Sequence, residues 1–186
     1  AAKTLLDPQG QAIARAVQWW DLPSACDQTR EPWPVAVLGS GEPVLLLHGF
    51  DSSHLEFRRL SPLLSAHAQL VIPDLYGFGF CPRPQGGDYS PAGVLRHLDA
   101  VLDAVLERTG AQRVGLIGAS MGGSAAVELA RRRPEQIDRL LLLAAELGSG
   151  GAKHLDAVVV GRTHFWIACD PGLRAARTIM GIVAHR

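Results

Sequence analysis

Apolar residues in this chain gather into short unbroken runs. These are Val35-Ala36-Val37-Leu38, Val44-Leu45-Leu46-Leu47, Leu70-Val71-Ile72-Pro73, Arg113-Val114-Gly115-Leu116-Ile117 and Leu140-Leu141-Leu142-Leu143-Ala144-Ala145. Runs of this length without polar alternation predict strands whose two faces are both covered. The first two, joined through Gly39-Ser40-Gly41, read as a hairpin-like pair.

Helical periodicity fills the intervals. Ser90-Pro91 is a helix start, with Val94, Leu98, Val101, Leu102 and Val105 as the buried stripe and Gly110 as the stop. A helix is also expected over 8–21, with Ile13, Val17 and Trp20 on one face, and another from Leu55 to Ala66. Ser124 to Ala130 continues a fourth, which Pro134 stops. Pro32-Trp33-Pro34 and Pro82 to Tyr89 read as loops. Strand and helix thus alternate, which predicts an α/β fold with a mostly parallel sheet flanked by helices. Beyond Glu146 the pattern thins to a strand around Val158-Val159-Val160 and a helix within Pro171 to Val183.

Composition narrows the partners. The chain has 186 residues, enough for one domain with a sizeable core, and 47% of them are apolar. Lys and Arg number 18 and Asp and Glu 18, so charge gives no case for nucleic acid. No apolar stretch is long enough to span a bilayer, and Ala1-Ala2-Lys3-Thr4 reads as a trimmed start without a secretion signal. Cys26, Cys81 and Cys169 are scattered and match no metal spacing, which suggests a reducing, cytoplasmic setting without metal or cofactor.

The chemistry centres on Gly118-Ala119-Ser120-Met121-Gly122-Gly123, set between an apolar strand and a helix of small residues. In that setting G-x-S-x-G predicts a nucleophile elbow, a bend that carries Ser120 on a strained backbone above the sheet. The Met121 N–H and the positive end of the following helix would then face negative charge developing beside the serine hydroxyl.

With Leu47-His48-Gly49-Phe50 and Asp74-Leu75-Tyr76-Gly77-Phe78-Gly79 preceding it, the chain resembles the α/β-hydrolase fold superfamily. It is especially similar to lipase-like esterases and to hydrolases that open meta-cleavage products at a carbon–carbon bond. The resemblance runs from about Gly41 to Gly151. It implies Ser120 as nucleophile, and an oxyanion hole made by the Met121 and Phe50 amides. It also implies a structural His48, and turn residues in Asp74 and Gly77. Serine rather than aspartate at the apex disfavours dehalogenase and epoxide hydrolase chemistry.

The family order is serine, acid, histidine, and the stretch after Ser120 is short for the usual remaining units. The chain therefore reads as one domain, residues 1–186: an N-terminal helix and loop (1–33), a hydrolase core (34–146) and a diverged or truncated part (147–186). That leaves the fold incomplete after the family's sixth strand. Glu146 is the leading candidate acid, ahead of Asp156 and Asp170, and His164 the leading base, ahead of His154 and His185. His54, His67 and His97 read as surface residues.

The expected function is a serine hydrolase that cleaves a small apolar ester or carbon–carbon substrate. The alternative is an inactive relative that retains a small-ligand pocket. Loss of the final strands would expose sheet, so an oligomer or a covering partner is expected.

Overall fold

The computed structural model describes residues 5–22 and 32–145, together with strands at 155–161 and 165–168. Helix α1 (Pro8–Arg15) opens at Asp7, whose carboxylate accepts the Gln9 N–H at 3.1 Å. The helix does not continue to residue 21. Its C-cap is Ala16, and Val17–Trp20 forms strand β1, antiparallel to β2 (Trp33–Leu38). β-branched and aromatic side chains suit a pleated surface, and the β2 ladder outweighs the local helical spacing. The same pairing sets Trp20 opposite Trp33, so Trp33-Pro34 belongs to the strand and not to a loop.

Strands β3 (Pro43–Leu47) and β4 (Gln69–Pro73) correct a second expectation. β2 and β3 do not form a hairpin, because β4 lies between them, antiparallel to β2 and parallel to β3. A strand buried on both faces needs a neighbour on each edge to satisfy its backbone, and β4 provides one for both. The other edge of β3 pairs in parallel with β5 (Val114–Ala119), which pairs in parallel with β6 (Ile137–Ala145).

Strands β7 (Leu155–Gly161) and β8 (Phe165–Ala168) extend this edge antiparallel. Among the described residues the order is β1-β2-β4-β3-β5-β6-β7-β8. The expected α/β architecture is present, with a parallel centre and antiparallel margins. The strand expected at Val158-Val159-Val160 lies within β7, whereas β8 carries no clear signal in the sequence. The helix expected within 171–183 lies outside the described residues.

Between β3 and β4 the single helix expected from Leu55 to Ala66 is divided. A 3₁₀ turn, His54–Arg58, precedes the short α2 (Ser61–Leu64). Pro62 has no N–H to give an earlier carbonyl, so it fits only in the first turn of a new helix.

Successive side chains of the strands feed two cores. Leu45, Leu47 and Leu116 pack with α3 (Pro91–Thr109) and α4 (Met121–Arg132), and Leu46 and Ile117 pack with Ile13, Phe57 and Leu64 on the other face. Leu98, Val101, Leu102 and Val105 on α3 are wholly buried, each worth about 1.5–3 kcal/mol relative to exposure. The ends of α3 are as the sequence indicates: the Ser90 hydroxyl accepts the Gly93 N–H at 3.3 Å, and Gly110 closes the helix with φ 70°.

The turn after β4 is built around Asp74, which is wholly buried. One carboxylate oxygen accepts the His54 N–H at 2.6 Å and lies 2.8 Å from His54 Nδ1; the other accepts the Phe80 N–H at 2.6 Å. Burial alone would push this carboxyl up, but these hydrogen bonds outweigh it and hold it below the usual carboxylate range. The Asp74 carbonyl accepts from Cys81 Sγ at 3.1 Å and lies 3.3 Å from His97 Nε2.

His54 and His97 are therefore not surface residues. His97 is three positions after Val94 and four before Val101, on the buried stripe of α3, and its ring lies 4.7 Å from that of Trp33. Its Nδ1 has no hydrogen-bond partner among the described residues, and burial lowers its pKa from 6.5 to about 4.

This packing generates two predictions. A Cβ at Gly122 would lie 2.2 Å from the Leu47 carbonyl oxygen and 2.4 Å from that of His48, where backbone cannot yield. Gly122→Ala is expected to cost about 2–3 kcal/mol, read as a lower urea midpoint. For His97, the unfolded chain takes up the proton first as pH falls. Its contribution is therefore complete above pH 6.5 and is lost progressively toward pH 4. Unfolding free energy measured across that range should fall by about 3 kcal/mol on this account, and His97→Gln should remove that part of the fall while leaving the part due to His48, whose pKa burial also lowers.

Candidate active site

Strand β5 ends at Ala119 and α4 begins at Met121, leaving one residue for the change of direction. That residue, Ser120, has φ 49° and ψ −119°, a conformation costing on the order of 1–3 kcal/mol in a non-glycine residue. Both of its backbone groups are anchored. Its N–H donates to the Leu143 carbonyl of β6 at 3.0 Å, and its carbonyl accepts the Gly123 N–H at 2.9 Å.

A serine at a helix N-cap ordinarily accepts an amide of the first turn through its hydroxyl. Ser120 makes no such bond, and the residue is half-buried. Its oxygen is thus left at the head of a twelve-residue helix, where the Met121 amide and the helix dipole favour negative charge. The bend expected at Gly118 to Gly123 is present.

The loop after β3 rests against this bend. A Cβ on Gly49 would lie 3.3 Å from Ser120 Cβ, so the missing side chain is what lets the two backbones approach. His48, buried beneath the loop, has both ring nitrogens engaged. Nδ1 lies 2.8 Å from the Gly49 carbonyl oxygen, and Nε2 is 2.9 Å from the Leu75 N–H, which it accepts. The second bond requires an unprotonated Nε2, so the proton is on Nδ1 and donates to Gly49. Burial lowers the pKa of His48 and agrees with a neutral ring. A histidine so engaged holds the loop and has no nitrogen free to act as a base.

Among the described residues, the N–H groups of Phe50 and Met121 make no hydrogen bond within the protein. The Phe50 ring is 72% exposed and packs edge-on against Phe78 at 5.4 Å, while Phe78 lies 6.2 Å from the His48 ring.

Sequence reasoning missed Glu56, whose Oε2 accepts the Gly49 N–H at 2.8 Å. The spacing Ser53-His54-Leu55-Glu56 has the form of a capping box, which would direct the glutamate to the Ser53 amide. That form identifies the helical start, but nothing local reveals the partner seven residues back.

Of the residues singled out from sequence, Ser120, Phe50 and Met121 fall within one small region. Glu146 and His164 lie outside the described residues, as do His154, His185 and Asp170. Asp156 falls within β7. Among the described residues no group of three or more His, Cys, Asp or Glu is placed to hold a metal ion, and no helix is long and apolar enough to cross a membrane. Cys81 is buried, and desolvation pushes its thiol far above the ordinary range.

Comparison with known proteins agrees with the fold. The chain is 37% identical over 156 residues to a 2-hydroxy-6-oxo-2,4-heptadienoate hydrolase of Pseudomonas putida, covering 80% of this chain and 51% of the relative. It is 35% identical over 104 residues to Lipase 1 of Psychrobacter immobilis, covering 56% of this chain and 32% of the lipase. Among solved structures, the meta-cleavage product hydrolase CumD of Pseudomonas fluorescens superposes with TM-score 0.63 at 26% identity, over 74% of this chain and 48% of CumD. The chain spans about half the length of the meta-cleavage relatives. The model of the alpha/beta hydrolase fold matches residues 42–175, which take in the His48-Gly49-Phe50 loop, the Asp74 turn and the Ser120 bend. This chain belongs to the α/β-hydrolase fold family.

Proposed function

We propose that the chain carries the nucleophile and oxyanion hole of a serine hydrolase acting on a small apolar ester or carbon–carbon bond substrate. The observation that supports it is Ser120 on a strained backbone at a strand-to-helix bend, its hydroxyl free of capping, with the Met121 amide next to it in sequence and the Phe50 amide on the loop whose Gly49 approaches it, neither amide hydrogen-bonded among the described residues. Strain at one residue persists only where its surroundings hold it, and here β6, α4 and the Gly49 loop do so.

In this reading the Ser120 oxygen attacks a carbonyl carbon as its proton passes to a base. The carbonyl oxygen gains the negative charge and is met by the Phe50 and Met121 N–H groups. Such donors act without reorganisation, and losing one typically costs about 100–1000-fold in rate. The intermediate collapses as the base passes that proton to the departing alkoxide or stabilised carbanion, and water, activated by the same base, then hydrolyses the acyl-serine to a carboxylic acid and restores the Ser120 hydroxyl. His164 as base and Glu146 as its orienting acid remain the candidates for completing the site.

The exposed Phe50 ring beside Phe78 favours an apolar group on the substrate. The activities for which the relatives are named, a dienoate hydrolase and a lipase, lie in the same range of carbonyl chemistry.

A fluorophosphonate probe tests the reading directly. The protein should be labelled at Ser120, as identified by peptide mass, and Ser120→Ala should abolish the label. Absence of labelling in the folded wild type would overturn the assignment of Ser120 as an activated nucleophile.

A further inference from the structure

The Phe50 amide can serve an oxyanion only if the peptide that carries it points one way. That peptide follows glycine, the residue whose backbone is least restricted. Gly49 cannot be replaced by a stiffer residue without crowding Ser120, since a Cβ there would lie 3.3 Å from Ser120 Cβ. The loop therefore needs to be held from outside its own backbone.

Two bonds do this. His48 Nδ1–H donates to the Gly49 carbonyl at 2.8 Å. Because the described peptides are all trans, the Phe50 N–H of that same unit is directed the opposite way. The Gly49 N–H, in the preceding peptide, donates to Glu56 Oε2 at 2.8 Å. Consecutive peptide planes on either side of the glycine are thereby fixed. Glu56 itself is carried by the 3₁₀ turn, whose start is fixed by the Ser53 hydroxyl accepting the Leu55 N–H and by His54 bonding to Asp74.

We propose that Glu56 is a positioning residue for catalysis: its carboxylate clamps the Gly49 amide so that the neighbouring Phe50 N–H faces the oxyanion formed at Ser120. This rests on the serine hydrolase reading above. Glu56 does not touch the substrate; it acts through the loop. A carboxylate suits the task because a charged acceptor forms a shorter and stronger bond to an amide than a neutral one. The side chain is exposed, so its removal leaves both apolar cores intact.

The test compares Glu56→Ala, which removes the acceptor, with Glu56→Gln, whose amide oxygen can still take the Gly49 N–H. Fluorophosphonate inactivation supplies the maximal labelling rate kinact and the half-saturating concentration KI. Amide hydrogen exchange at Gly49, followed by NMR, supplies a readout independent of any chemistry. Glu56→Ala should lower kinact about tenfold with KI unchanged and the protein still fully folded at the assay temperature, since a misdirected donor is a partial loss of the donor. Glu56→Gln should stay within about threefold of wild type, and exchange at Gly49 should rise about tenfold in Glu56→Ala alone.

Wild-type labelling rates in Glu56→Ala would overturn the inference, as would an equal loss in both variants or a fall in thermal midpoint that accounts for the lost rate. If the wild type is not labelled at all, the hydrolase reading fails and the catalytic half of this inference fails with it. The exchange measurement then decides the clamp by itself, and unchanged protection of Gly49 in Glu56→Ala would remove that half too.

Discussion

The first turn of α4 lies against the end of β3 with no room for a side chain between them. The space above Gly122 ends in the carbonyl oxygens of Leu47 and His48. This contact between two backbones ties the helix that carries the serine to the strand that leads into the loop beside it. It also explains why the bend at Ser120 is sharp. α4 must fold back over the sheet within one residue of β5, and Ser120 takes the positive φ that the reversal requires. The strain is local, while the interactions that hold it are spread over β3, β6 and α4.

A second set of constraints lies beneath the first. Asp74 gathers the His54 and Phe80 amides through its carboxylate, and Cys81 Sγ and the His97 ring meet its carbonyl. The next residue, Leu75, gives its N–H to His48, and His48 directs the Gly49 peptide. The turn after β4 thus reaches the peptide of the candidate oxyanion donor through two hydrogen bonds, from the Leu75 N–H to His48 and from His48 to the Gly49 carbonyl. A buried polar network of this kind is rigid only while every member is satisfied. The Nδ1 of His97, without a partner among the described residues, marks the place where satisfaction is incomplete, and it coincides with a strongly lowered pKa.

Much of the centre of the molecule is legible in the chain. α3 has its cap, its stripe and its left-handed stop all encoded locally, and each is found where the spacing places it. The bend at Ser120 is equally local, since glycines, a preceding apolar strand and small following residues are sufficient to specify it. The expectations that fail have a common form. Val17–Trp20 has helical spacing but pairs with a strand thirteen or more residues later, and β2 and β3 are separated by a strand that comes after both. His97 is polar by type, which suggests an outward side chain, although its position on the α3 stripe predicts burial.

The sequence by itself determined the alternation of strands and helices, the caps of α3 and the sharp turn that presents Ser120, because these depend on residues within a few positions of one another. Only the tertiary structure decided the strand order, the burial of His54 and His97, and the clamp from Glu56 to Gly49, because each joins parts of the backbone that local periodicity does not connect. A hydrogen bond from a glycine amide to a carboxylate seven residues on leaves no period and no motif in the chain. It exists because the turn after β3 reverses direction and the 3₁₀ segment folds back beneath it.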